Sequence, residues 1–153
     1  MQSHKRVTIE WEGFFSTIDL PCFEAIMGIY IFLGKHSRQL HLLYIGMTYW
    51  QTFYDEIRAK INGDIGEWIE KNHFDIQNLR IKLGHIVLKD RHRISEKLVK
   101  DIESLHIIVH KPPWNIMNIN TYRGDDLRIE NSGKYRPLRK RLSTDQLNNW
   151  SKS

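Results

Sequence analysis

The tripeptides Gly28-Ile29-Tyr30 and Tyr44-Ile45-Gly46, thirteen residues apart, constrain this chain more than any other stretch. Around them the apolar residues alternate. Ile29, Ile31 and Leu33 fall to one side of an extended segment and Tyr30 and Phe32 to the other, while Leu43, Ile45 and Met47 alternate against Leu42 and Tyr44. A period of two marks a strand, so both segments read as strands. Gly34 to Gln39 between them is polar and holds a glycine, which predicts a hairpin with a loop longer than two residues. Such a hairpin brings the two phenols near each other. Gly28 and Gly46 leave the backbone beside them unshielded, as strand glycines do where a ligand or another segment comes close.

At 153 residues the chain has the size of one domain, able to bury roughly two thirds of its unfolded surface without cross-links. The single Cys22 cannot form an internal disulfide, favours a reducing, cytoplasmic setting, and reads as a small buried apolar residue. Residues 1–10 mix charges without the apolar core of a signal peptide. The longest apolar run, Ala25 to Leu33, is far shorter than the ~20 residues of a membrane-spanning helix. No membrane association is expected.

The net charge of +5 favours an anionic partner. Lys134, Arg136, Arg139, Lys140 and Arg141 concentrate five cations in eight residues with no acid among them. The composition suits either a solvated tail or a phosphate-backbone contact that weakens as salt rises.

Residues 11–26 are apolar without a clear period and are interrupted by Pro21, and they read as an N-terminal extension packed on the core. After the hairpin, Trp50, Phe53, Tyr54, Ile57 and Ile61 recur at helical spacing, with Thr48 as the N-cap and Gly63 at the stop. A short helix follows from Ile65 to Asn72, capped by Asp64. Leu79 to Leu88 reads as a third strand, with Gly84 at a bulge. From about Arg91 to Val109 comes the strongest helix, striped by Ile94, Leu98, Ile102, Leu105 and Val109 and ended by Pro112-Pro113. Asn131-Ser132-Gly133 reads as a turn leading into the basic segment.

The paired tripeptides resemble the signature of the GIY-YIG nuclease family. Downstream residues extend the likeness in the family's order: Arg58 on the helix after the second tripeptide, Glu103 on a later helix, then a proline and Asn115. The resemblance covers residues 27–115. It implies an α/β (α+β) fold, a small central mixed or antiparallel three-stranded sheet flanked by helices. Residues 1–26 and the basic 116–153 would be extensions within the same single domain.

By the same resemblance the protein is a DNA endonuclease of restriction or mobile-element type, leaving 5′-phosphate and 3′-hydroxyl ends. Glu103 would bind one Mg2+ or Mn2+, Arg58 would hold the scissile phosphate, and Tyr30 or Tyr44 would take the proton from water. Gly28, Gly46, Asn62 and Asn115 would support the site. Oxygen ligands and retained waters suit magnesium, and the forked guanidinium suits a phosphate. A chain of this size has little base-reading surface, so a homodimer or a low-specificity enzyme is implied.

One position departs from the family. Four residues after the arginine, where many members carry a His or Tyr that assists proton transfer, this chain has Asn62, which cannot act as a base; Lys60, Lys35 or a histidine are the substitutes the sequence offers. The alternative is a non-catalytic nucleic-acid-binding module of the same fold. A separate constellation is Glu103, His106 and His110, at i, i+3 and i+7 on one helix face, with the two imidazoles spaced as in some zinc sites. No HExxH, Walker loop, GxGxxG or nucleophile elbow accompanies it.

Overall fold

The computed structural model describes residues 5–22, 27–88, 94–116 and 120–147. Six strands form one mixed sheet: β1 (Lys5–Phe15), β2 (Gly28–His36), β3 (Gln39–Thr48), β4 (Leu79–Leu88), β5 (Leu127–Gly133) and β6 (Arg141–Ser143). Their spatial order is β3-β2-β4-β1-β5-β6, antiparallel throughout except for the parallel β1–β5 pair. The helices are α1 (Phe53–Asn62), α2 (Asp64–Lys71) and α3 (Glu96–His110). The fold is therefore α+β, but its sheet has six strands rather than three.

The three strands expected from the tripeptides and Leu79–Leu88 make one half of that sheet. The other half comes from segments read as extensions. β1 is not an extension packed on the core but a central strand, and Asn131 to Gly133 are not a turn but the end of β5. The two halves differ in what covers them. α3 covers one face of the whole sheet, burying Val7, Ile9 and Trp11 of β1 and Leu127 and Ile129 of β5 together with Ile29, Ile31 and Leu33. On the opposite face α1 and α2 cover only the tripeptide half, over Tyr30, Phe32, Leu79, Ile81 and Leu83. β2 is buried on both sides and reads as a nearly continuous apolar run. β1 and β5 are buried on one side and carry Thr8, Glu10 and Glu12, or Arg128 and Glu130, on the other.

The hairpin is tighter than expected. Pairing runs on to His36 and Gln39, leaving a two-residue turn in which Ser37 takes positive φ, 60°. The register shifts opposite Phe32–Leu33, so that Leu43 is bulged. This moves Leu43 to the same side as Tyr44, while Leu42, Ile45 and Met47 pack on the α3 side, against the simple alternation.

α1 is capped by Thr52, not Thr48, and Gly63 closes it. α2 starts at Asp64 with Gly63 as its N-cap residue. α3 starts from Ser95, whose hydroxyl accepts from the Leu98 N–H at 3.1 Å, and stops at Lys111 in the left-handed conformation before Pro112. Gly84 shows no bulge; it lies in regular pairing, packed against Ile9 and Trp11. Cys22 is exposed rather than buried. The expected helical start at Arg91 falls outside the described residues. Among the described residues no helix is long and apolar enough to cross a membrane.

Candidate active site

Tyr30 is fully buried, and its ring lies directly on Gly46. A β-carbon at Gly46 would run into the phenol carbon and hydroxyl of Tyr30; one at Gly28 would meet the Gly84 carbonyl and the ring of Phe53. Both tripeptide glycines are thus places where another part of this chain comes too close for a side chain. The Tyr44 ring lies 6.2 Å from that of Tyr30 and 5.5 Å from that of Phe32, centroid to centroid.

The phase of α1 decides which of its polar groups meet these phenols. Thr52 fixes the start of the helix, and Phe53 and Ile57 are buried against the sheet. Glu56 and Lys60, one turn apart, flank that buried stripe on the tyrosine side, and the Tyr30 hydroxyl donates to Glu56 Oε1 at 3.3 Å. Arg58 lies roughly 160° round the helix from both. It is exposed, with its guanidinium 5.8 Å from the centroid of the Tyr54 ring. Asn62 is exposed on the last turn of α1. Lys60 instead lines the same cavity as Tyr44 and Glu103.

Glu103 enters from α3, beside the fully buried Ile102. Burial raises its carboxyl from 4.5 to about 7; Lys60 and Lys100 oppose the shift and Glu56 adds to it. Burial also pushes Tyr44 up to about 12, with the charges of Glu103 and Glu56 adding to the shift. Tyr30 is raised well above the ordinary phenol range, first by burial and then by Tyr44, Glu56 and Glu103. Glu56 is raised by burial, against Lys60 and the Tyr30 hydroxyl. Several acids and phenols in one partly desolvated place is the arrangement expected of a functional site rather than of packing.

Tyr44 and Glu103 open onto a cavity of about 500 Å³ that is also lined by Lys60, Trp68, Trp114 and Asn115, among others. Asn115 closes one wall. Its side-chain oxygen accepts from the Ile45 N–H and its amide donates to the Ile45 carbonyl, both at 2.9 Å, while the Trp114 N–H donates to the Leu43 carbonyl at 2.9 Å. β3 is an edge strand, and this loop satisfies its outward-facing backbone groups as a further strand would.

The two histidines of α3 form a separate structure. His106 Nδ1 donates to the Ile102 carbonyl at 2.9 Å, and its Nε2 accepts from the Asn131 amide at 3.1 Å. His110 Nδ1 donates to the His106 carbonyl at 2.8 Å, and its Nε2 accepts from the Arg139 backbone N–H at 2.9 Å. The Asn131 oxygen accepts from the Trp11 indole at 2.8 Å. Both rings are therefore neutral, and burial lowers His106 to about 4. Every ring nitrogen is engaged, so neither imidazole offers zinc a lone pair. The pair ties α3 to β1, β5 and the basic segment.

That basic segment does not line the 500 Å³ cavity. Lys134 and Arg136 border a different groove with Phe14, Leu40 and Lys82, and the Lys82 ammonium donates to the Arg136 carbonyl at 2.6 Å. Lys134, Arg136, Arg139, Lys140 and Arg141 are all exposed.

Among the described residues no three His, Cys, Asp or Glu side chains are grouped to hold a metal. What the site does provide is one buried carboxylate, Glu103, whose ionisation is opposed by burial and by Glu56. A hard divalent cation that keeps most of its waters fits this donor set, because it needs few protein oxygens and would relieve the excess negative charge.

Glu56 is the residue sequence reading missed. Its signal was the Glu56–Lys60 pair at i, i+4 beside the apolar Phe53 and Ile57. Comparison with protein-family models, with curated proteins and with solved structures finds no match for this chain.

Proposed function

We propose that this protein is a metal-dependent DNA endonuclease that hydrolyses phosphodiester bonds to 5′-phosphate and 3′-hydroxyl ends. The observation that carries the reading is the convergence of Tyr44, Glu103, Lys60 and Asn115 on one cavity, with Tyr30 and Glu56 behind them. These residues come from β3, α3, α1 and the loop after α3, and their approach is not required to bury the core. Glu103 would hold Mg2+ or Mn2+, and such a cation supplies positive charge for the phosphate and its leaving oxygen. Lys60 contributes a second positive charge on the same wall, taking the part that the family resemblance gives to Arg58. Tyr44 accepts the proton of the attacking water, and Asn115 holds the wall against β3. The exposed cations from Lys134 to Arg141 bind DNA backbone away from the reacting phosphate.

A second reading, a non-catalytic nucleic-acid-binding module, is favoured by one observation: Arg58 and Asn62 lie on exposed parts of α1 rather than against the cavity. The test is incubation of the purified protein with supercoiled plasmid in Mg2+, Mn2+ or EDTA, beside Glu103→Ala. Metal-dependent nicking that the variant loses supports the nuclease. DNA binding without cleavage in either metal selects the module.

A further inference from the structure

Tyr44 poses a problem of proton accounting for the nuclease reading. A phenol at neutral pH already carries its proton. It can take one from water only by giving its own away, so the reaction needs a second acceptor in contact with the tyrosines.

The geometry supplies one. Tyr30 lies behind Tyr44, ring beside ring with centroids 6.2 Å apart. Tyr30 is sealed from solvent and pinned by Gly46, and its hydroxyl ends on Glu56 Oε1 at 3.3 Å. Glu56 is only partly buried, so a proton reaching it can leave to bulk water. The burial of a tyrosine hydroxyl in a core otherwise filled by Phe32, Phe53 and Ile57 is also unneeded for packing, since phenylalanine would fill the same space.

We propose that Glu56 is the terminal acceptor of a proton relay that runs from water through Tyr44 and Tyr30. The proposal rests on the nuclease reading and names how its base is regenerated. The water oxygen forms the new bond to phosphorus, and the water proton passes to the Tyr44 oxygen. The Tyr44 proton moves to the Tyr30 oxygen, and the Tyr30 proton to the Glu56 carboxylate. The bond from phosphorus to the 3′ oxygen breaks, that oxygen takes a proton from solvent, and Glu56 releases its proton to solvent. Both tyrosines end as neutral phenols, so no free phenolate accumulates. Glu56 does not touch the substrate; it is a positioning residue that acts through Tyr30. Its neighbour Lys60, one turn on, favours its ionised form before turnover.

The test is steady-state cleavage of plasmid DNA in Mg2+ by the wild type, Glu56→Gln, Tyr30→Phe and the double variant, with thermal melts as a folding control. Each single variant is expected to lower kcat about a hundredfold with KM within about twofold, the size of a general-base contribution. The double variant is expected to be no worse than either single one, because members of one relay act as a unit. Formate added to Glu56→Ala should recover part of kcat. If Glu56→Gln does not fold, Tyr30→Phe, which removes only a hydroxyl, carries the comparison. Wild-type kcat in a folded Glu56→Gln or Tyr30→Phe protein, or multiplied losses in the double variant, overturns the relay and leaves the nuclease standing. Absence of cleavage by the wild type itself overturns the nuclease reading and the relay with it.

Discussion

Replacing Glu103 by glutamine should stabilise the protein at alkaline pH while abolishing cleavage. The carboxyl has an ordinary value of 4.5 and a folded value of about 7, the difference arising first from burial. Folding therefore favours its protonated form. The contribution is fully present below about pH 4.5 and is lost as pH rises through about 7. The difference corresponds to about 3 kcal/mol as an upper limit. Glu103 keeps some exposure, so about 1–3 kcal/mol is the expected effect of removing the titration. Glutamine has the shape of the protonated acid. It should leave stability near pH 4 unchanged and raise it at pH 8, by about 2–4 °C in melting temperature per kcal/mol for a domain of this size.

The assay is the melting temperature of wild type and variant across pH 4–8, with DNA cleavage measured in parallel. His106 works in the opposite sense: burial lowers it from 6.5 to about 4, so stability is lost as pH falls through that interval. The wild-type curve alone is flattened where the two overlap, and only the difference between the proteins isolates Glu103. Lys60, Lys100 and Glu56 are the charged groups that modulate the shift, and they are common to both proteins. Added Mg2+ should raise the wild-type melting temperature and not that of the variant. A variant no more stable than wild type at pH 8 would refute the account of Glu103 as a strained, functional carboxylate. A carboxylate kept where it costs stability is what a binding or catalytic role predicts.

Lys60→Ala should lower the cleavage rate about a hundredfold, the size of one charge-stabilising group at a reacting phosphate, and Arg58→Ala by no more than about threefold; equal effects would contradict the assignment of Lys60 to the cavity side of α1. Asn115→Ala leaves the Ile45 N–H and carbonyl unpaired at the edge of β3 and should cost about 1–3 kcal/mol in urea unfolding, with DNA binding retained. Arg136→Ala with Arg139→Ala should weaken DNA binding and make its salt dependence shallower, by about 0.9 in log–log slope for each phosphate the variant no longer neutralises, without changing the metal requirement.

The tripeptide hairpin, the third strand and the core helix follow from local patterns that the chain states openly, whereas a shared site for Tyr30, Tyr44, Glu103 and Asn115 was implied only by the family resemblance. β2 is buried on both faces and α3 along a broad stripe, so their apolar periodicity is strong enough to read without a partner. Three things were decided only by tertiary structure. β1 and β5 became sheet strands because α3 extends over their single apolar face. Val7, Ile9 and Trp11 carry that alternation, but charged neighbours mask it and the parallel partner lies about 120 residues away. The side of α1 that faces the phenols was set by a cap at Thr52, and the helix phase separates Lys60, at the cavity, from Arg58, outside it. Glu56 gained its place beside Tyr30 by that same rotation. A residue's type announces what chemistry it can do. Which group it meets depends on packing between segments distant in the chain, and no local pattern carries that information.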